Sequence, residues 1–305
     1  MKEKNQNAYQ KISSRRIMFV IILNFLITAT EIAGGLIAHS LSLLSDALHN
    51  LTDGFAILTS FFALRLGQRR STTQMTFGFK RAEILAALFN SSILIIIIFF
   101  LLKEAASRLF SPHIINSNLM LTVAIVGLLA NLVGVTLLKK DADHNLNIKS
   151  AYLHLFADSL SSIGIVIGGL LIKFFNIYII DPILTVVISI YILRESYFIF
   201  RNTINILMQS TPDGIDIREI KSAIESIPEV HNLHHVHVWQ MTDRDIHFEG
   251  HIDICNDLRT SEVADIIKKI EEILLSKFNI THTTIQVEFG TCSDKEVIRK
   301  CDLKV

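Results

Sequence analysis

Proline is scarce in this 305-residue chain, at four residues, and tryptophan occurs once. Charged residues make up only 19%, less than a soluble domain carries. Lysine plus arginine equals aspartate plus glutamate, at 29 each, so no excess of positive charge points to nucleic acid. The three cysteines, Cys255, Cys292 and Cys301, all lie in the last third. Their odd number and spacing fit neither a disulfide framework nor a CxxC zinc ribbon, which suits a reducing compartment. The sequence H-E-x-x-H is absent, which argues against an intramembrane metalloprotease. Apolar residues are abundant instead: half the chain is hydrophobic, and the mean hydropathy is +0.44.

The apolar residues are segregated. About 20 of them in a row are needed to cross a bilayer as a helix. Six stretches qualify: Ile17–Ala38, Leu41–Leu66, Ala82–Leu102, Leu119–Leu138, Ala151–Lys173 and Ile177–Phe200. The first is too long for a signal peptide and has no A-x-A cleavage pattern, although Lys2, Lys4, Lys11, Arg15 and Arg16 precede it. Basic residues set the orientation. They gather at the N-terminus, around Arg65–Arg81 and at Lys139, Lys140 and Lys149, and are sparse in the alternate connections. Both termini are therefore expected in the cytoplasm. The reading is a membrane bundle over residues 1–208 and a polar cytosolic domain over residues 209–305.

Two matching pairs stand out in the apolar part: His49 with Asp53 in the second stretch, and His154 with Asp158 in the fifth. A spacing of four residues puts each pair on one helix face. An ionisable side chain at membrane depth costs roughly 2.5–3.5 kcal/mol by the lower insertion estimates, and is a functional candidate by default. Two imidazoles and two carboxylates suit a tetrahedral divalent metal, zinc first. The plainer reading is a pair of polar patches that hold helices together. Counted from the helix ends, both pairs fall near mid-membrane on antiparallel helices, so they can meet. Asp46 shares part of the His49 face; it either accepts a hydrogen bond from a ligand histidine or sits at the outer interface. Asn24, Glu31 and Asn131 read as interhelical glue. Gly34-Gly35 and the G-x-x-x-G of Gly164 and Gly168 predict close helix packing. Ile93–Phe100, apolar on every side, is expected to face lipid. Asp181 is expected to suit the dipole at the start of its own helix.

The tail reads as a helix, two strands, a helix and a strand, an α+β sandwich with both helices on one face of a small sheet. Asp213 or Asp216 is the expected cap of its first helix. Seven of the twelve histidines lie between His231 and His282. Strand alternation sends His235 and His237 to one face and His234 to the other. His234, His237, His251, His282, Gln286 and Glu288 are the candidate ligands of a cytosolic zinc site. The alternative is a solvated, histidine-rich sheet edge.

These motifs together resemble the cation diffusion facilitators over nearly the whole length. The resemblance rests on Gly34-Gly35, Ser40–Ala47 leading to His49 and Asp53, and Phe77–Glu83. It rests also on His154, Asp158 and Ser162-Ile163-Gly164, on Asp181-Pro182, and in the tail on His234–Trp239 and His282–Glu288. It implies a six-transmembrane-helix bundle, a cytosolic ferredoxin-like domain and a homodimer. It also implies that His49, Asp53, His154 and Asp158 bind the transported ion, in the zinc-preferring branch. The chain departs from the pattern at Phe79, where many relatives have histidine, and in Gly67–Thr76, which holds no His, Asp or Glu. Asp141, Asp143 and His144 are too few for a loop site. His234-His235 stands where the family commonly has His-Asp.

The function expected is efflux of zinc, with cadmium and cobalt as further cargo, in exchange for protons, across a bacterial inner membrane. The chain is not expected to be an enzyme. Zinc is expected as a regulatory ion in the tail as well. A metal channel and a bis-histidine haem protein for electron transfer are the rival readings; the second would not need paired aspartates.

Overall fold

The computed structural model describes residues 22–142, 146–290 and 296–298. The basic N-terminus, the first residues of the first apolar stretch, Asp143, His144, Cys292 and Cys301 lie outside the described residues. The chain divides into two compact units: Met1–Phe62 with Ala86–Phe200, and Ala63–Leu85 with Arg201–Val305.

The first unit is helical. Its helices are α1 (Ile22–Ala38), α2 (Leu41–Gly67), α3 (Ala82–Phe110), α4 (Ser117–Ala142), α5 (Leu146–Phe175) and α6 (Ile180–Leu207). Among the described residues, α3, α6 and the parts Ser117–Lys139 of α4 and Tyr152–Phe175 of α5 are long and apolar enough to cross a bilayer. Helix α2 has 27 residues, about 40 Å at 1.5 Å per residue. It falls short in apolarity because Asp46, His49, Asn50, Thr52 and Asp53 interrupt its apolar surface. Three of these, Asp46, Asn50 and Thr52, are buried, so the polar stripe faces the bundle.

Between helices the packing depends on small residues and a few polar ties. A Cβ on Gly34 would meet Val123 of α4 at 2.6 Å, and one on Gly35 would meet the backbone nitrogen of Leu44 at 3.1 Å. The G-x-x-x-G pair does not act as a unit. Gly168 lies against Leu184 of α6, whereas Gly164 faces open space. The amide of Asn50 donates to Glu31 at 3.3 Å and ties α2 to α1, as glue does. The run Ile93–Phe100 is not uniformly outward. Leu94 and Ile98 are buried and pack with Ile192, while Ile96, Phe99 and Phe100 are exposed.

Asp181 does not serve the dipole of its own helix alone. Its carboxylate, fully buried, accepts from the hydroxyls of Ser40 (2.7 Å) and Ser42 (2.6 Å). It also accepts from the backbone N–H groups of Leu41 (2.8 Å) and Ser42 (3.1 Å). These are donors that the start of a helix leaves without intrahelical partners. The acid of α6 thereby caps α2.

In the second unit the order is α7 (Ile217–Glu225), β1 (Val230–Gln240), β2 (Ile246–Ile254), α8 (Thr260–Phe278) and β3 (His282–Glu288). The sheet has the order β1-β2-β3, with β1 antiparallel and β3 parallel to β2. A parallel neighbour needs a crossover, and α8 supplies it. Ile266, Ile270 and Leu274 recur every four residues and bury one face of α8. They join Ile220 and Ile224 of α7 and Leu233, Val236, Phe248 and Ile252 of the sheet in one core. Each fully buried side chain of this kind contributes about 1.5–3 kcal/mol. Asp216 caps α7 by accepting from the Arg218 N–H at 2.8 Å. The segment Ala63–Leu85 belongs with this unit: Lys80 pairs with Asp245 at 2.8 Å, and Phe77 meets the His247 ring edge-on at 5.7 Å.

Candidate metal centres

The first centre lies in the helical unit. His49 and Asp53 sit one turn apart on α2, with Nε2 to Oδ2 at 3.5 Å. His154 and Asp158 repeat the arrangement on α5, also at 3.5 Å. The helices are joined by His154 Nε2 and Asp53 Oδ2, at 3.1 Å. All four residues of the predicted set are thus brought together, in a chain His49–Asp53–His154–Asp158. Zinc about 2.0–2.1 Å from each donor places neighbouring donors about 3.3 Å apart. The three contacts have that length. The two imidazole rings stand 6.0 Å apart, edge to face. Asp158 Oδ2 is buried and makes no hydrogen bond. Buried orphan lone pairs beside two imidazoles fit a cation.

Asp46 is buried inside the bundle and so is not an interface acid. Its Oδ1 accepts from the hydroxyl of Ser161 on α5 at 2.6 Å, and its other oxygen accepts no hydrogen bond. It therefore ties α2 directly to α5.

The second centre is in the sheet. His234, His235 and His251 bring one ligand nitrogen each to within 4.8 Å of one another. Glu288 closes the group: its Oε1 is 2.9 Å from His251 Nδ1 and its Oε2 is 3.4 Å from His234 Nε2. Gln286 donates to the same carboxylate at 2.8 Å. The register explains the meeting. His234 pairs with His251 across the antiparallel ladder, and His251 pairs with Gln286 across the parallel one. Four candidates from the sequence, His234, His251, Gln286 and Glu288, are therefore together. His237 is exposed elsewhere, and His282 stands against His247 with ring centroids 4.6 Å apart.

His235 joins the cluster because alternation fails there. The register shifts between His234 and His237, and His235 takes a left-handed conformation with φ 50°. Such a bulge re-aims a side chain, at some cost for a residue with a Cβ. His234 and His235 then face one site, not opposite faces. The adjacent histidine pair was the one signal available in the sequence. Burial pushes the His234 imidazole below its ordinary range, and the neighbouring His235 and His251 act the same way, against the upward pull of Glu288. A neutral imidazole is the form that ligates a metal. Three imidazoles and a carboxylate fit a structural zinc ion.

The family model described as the cation efflux transmembrane domain matches residues 17–208. The model described as the cation efflux protein, cytoplasmic domain, matches residues 212–289. The chain is 34% identical over 283 residues to the cation efflux system protein CzcD of Alcaligenes sp. (strain CT14), covering 93% of this chain and 88% of that protein. It is 36% identical over 286 residues to the cadmium, cobalt and zinc/H(+)-K(+) antiporter of Bacillus subtilis, covering 93% and 90%. It is 34% identical over 292 residues to the zinc transporter ZitB of Pectobacterium atrosepticum, covering 95% and 90%.

Proposed function

We propose that this chain, which belongs to the cation efflux family, exports zinc from the cytoplasm in exchange for protons, with cadmium and cobalt as further cargo. The names of its relatives support that cargo. The observation that carries the assignment to particular residues is the contact of Asp53 with His154. It links two helices, by a charge, at the place where a bilayer tolerates charge least.

In this reading His49, Asp53, His154 and Asp158 hold the transported ion. Metal binding needs neutral imidazole and ionised carboxylate, so the ion and protons compete for the same atoms. With the site open to the cytoplasm, zinc displaces protons; with it open to the other side, protons displace zinc. Rocking of the bundle between the two completes the exchange. Residues 1–208 form the transport domain and residues 209–305 a cytosolic one, with both termini in the cytoplasm of a bacterium and the helices in its inner membrane. The tail pairs with a second copy. His234, His235, His251 and Glu288 would hold a regulatory zinc ion there, which supplies a cross-link between strands. A channel would pass metal without proton flux; a haem protein would be coloured and would not need the paired aspartates.

The test is zinc uptake into vesicles that hold the purified chain and a lumenal pH dye. Zinc-dependent proton movement of opposite direction supports antiport, and zinc flux without it refutes antiport. Because potassium appears in the name of one relative, the run is repeated with potassium left out.

A further inference from the structure

The exposure of the four donors is graded along both helices. The side chains of His154 and Asp53 are 42% and 26% exposed, that of His49 is 17%, and that of Asp158 is 5%. One turn beyond His49, Asp46 is 2% exposed. Along α2 exposure falls steadily from Asp53 to Asp46, and on α5 it falls from His154 to Asp158, while Ser161 is half-buried.

The polar contacts between the helices follow the same line. Asp46 lies seven residues before Asp53 on α2, and its partner Ser161 lies seven residues after His154 on α5. The two rungs are thus in one antiparallel register, about 10.5 Å apart. His49 and Asp158 stand between them. Beyond the Asp46–Ser161 rung, α2 is tied to α6. Ser45 of α2 meets Ser189 of α6 at 3.4 Å, and Asp181 caps the start of α2.

We propose that the Asp46–Ser161 hydrogen bond is the closed gate of the transport site, on the side away from the loops that leave α2 and enter α5. It rests on the assignment of the ion to the four donors. Closing needs the two helices in contact at this rung. Opening requires the serine hydroxyl to leave the carboxylate and α5 to part from α2. The unbonded oxygen of Asp46 then faces the path of the departing cation. A hydrogen bond from a hydroxyl to a carboxylate is a charge-assisted one, strong enough to hold a bundle shut yet broken by a single movement. The two outer ties, at Ser189 and Asp181, keep the far end of α2 on α6 while α5 moves. Asp46 and Ser161 are positioning residues, not ligands.

The experiment uses the full chain in vesicles loaded with zinc, with no pH difference across the membrane. Ser161→Ala removes the donor with little change of volume. Asp46→Ala removes the acceptor by a second route, should the first variant fail to fold. Asp46→Asn keeps an acceptor oxygen and loses the charge. The expected result is a passive zinc leak about tenfold above wild type in Ser161→Ala and in Asp46→Ala, the size of one charge-assisted hydrogen bond. Asp46→Asn, which keeps a weaker, neutral acceptor, should leak more than wild type and less than Ser161→Ala, and zinc affinity in detergent should be unchanged in all three. A wild-type leak in a folded Ser161→Ala chain overturns the gate. A leak in Asp46→Asn equal to that of Ser161→Ala assigns the effect to charge and also overturns it. Asp158→Ala, run in parallel, separates the two assignments. If it still binds and carries zinc, the site is wrong; if it does not and Ser161→Ala is tight, only the gate is.

Discussion

In the helical unit four donors hang from two helices and touch in a chain, whereas in the tail three imidazoles and a carboxylate are fixed by one sheet. The donor types are nearly the same. The difference is in what holds them. On α2 and α5 each pair is set by helix geometry, but the distance between the pairs depends on how the helices pack, and that can change. In the sheet the ladders set the distances among His234, His251 and Glu288, and a strained backbone at His235 completes the group. A set that one helix movement can make or break suits an ion that must be released. A set held by one sheet suits an ion that stays.

The largest effect that would break this comparison is at Asp53. Asp53→Ala removes the carboxylate that touches both imidazoles, and transport should fall to background while the protein stays inserted and folded. Zinc flux in vesicles and thermal melting in detergent measure the two parts. His49→Asp should be milder. It leaves one nitrogen among oxygens, adds negative charge and shortens the side chain. Discrimination between zinc and the harder manganese, or the larger cadmium, should drop, by roughly tenfold for one changed ligand. Flux ratios at one pH would show it, and an unchanged ratio at full rate would remove His49 from the site.

In the tail the expected effects are smaller and concern stability. The segment from about Gln209 onward has its own core, so it should fold alone. Zinc should raise its melting temperature, because a ligand of the folded form stabilises it. Glu288→Ala or His251→Ala should reduce that rise, and His235→Ala likewise. His237→Ala should not, since His237 points elsewhere. A loss in His237→Ala equal to that in His235→Ala would mean that the strand has no bulge.

Without zinc, pH should matter in a defined direction. Burial holds His234 and His247 below their ordinary values, His282 adding to the effect at His247. Their folded-state pKa is thus below the unfolded value of about 6.5. The contribution of both is fully present above about pH 6.5 and is lost as the pH falls through their lower folded-state values. Melting temperature of the metal-free segment should therefore decline on acidification from pH 7, with a smaller decline in His247→Phe.

The meeting of the four helical side chains was legible because its information is local. Four residues make one turn, so each His–Asp pair follows from spacing, and the antiparallel order of α2 and α5 follows from basic loops and helix count. The tail was legible as elements and in four of its candidate ligands, His234, His251, Gln286 and Glu288, but not in His235. Alternation is a sound rule until a residue is inserted, and no sequence signal other than His234-His235 marks the bulge. The place of His282 beside His247, away from Glu288 six residues on, depends on the parallel register of β3. Gly164 shows the same limit: a motif at the right spacing packs only if a neighbour comes to it. Asp181 was seen as an acid at a helix start, yet its partners lie about 140 residues earlier in the chain.

The most direct measurement of the account records zinc flux and lumenal pH together in vesicles, for Asp158→Ala and Glu288→Ala side by side. The account predicts no zinc or proton movement in Asp158→Ala, and both movements, at reduced rate, in Glu288→Ala. Zinc flux at the wild-type rate in Asp158→Ala, or its complete loss in Glu288→Ala alone, would contradict it.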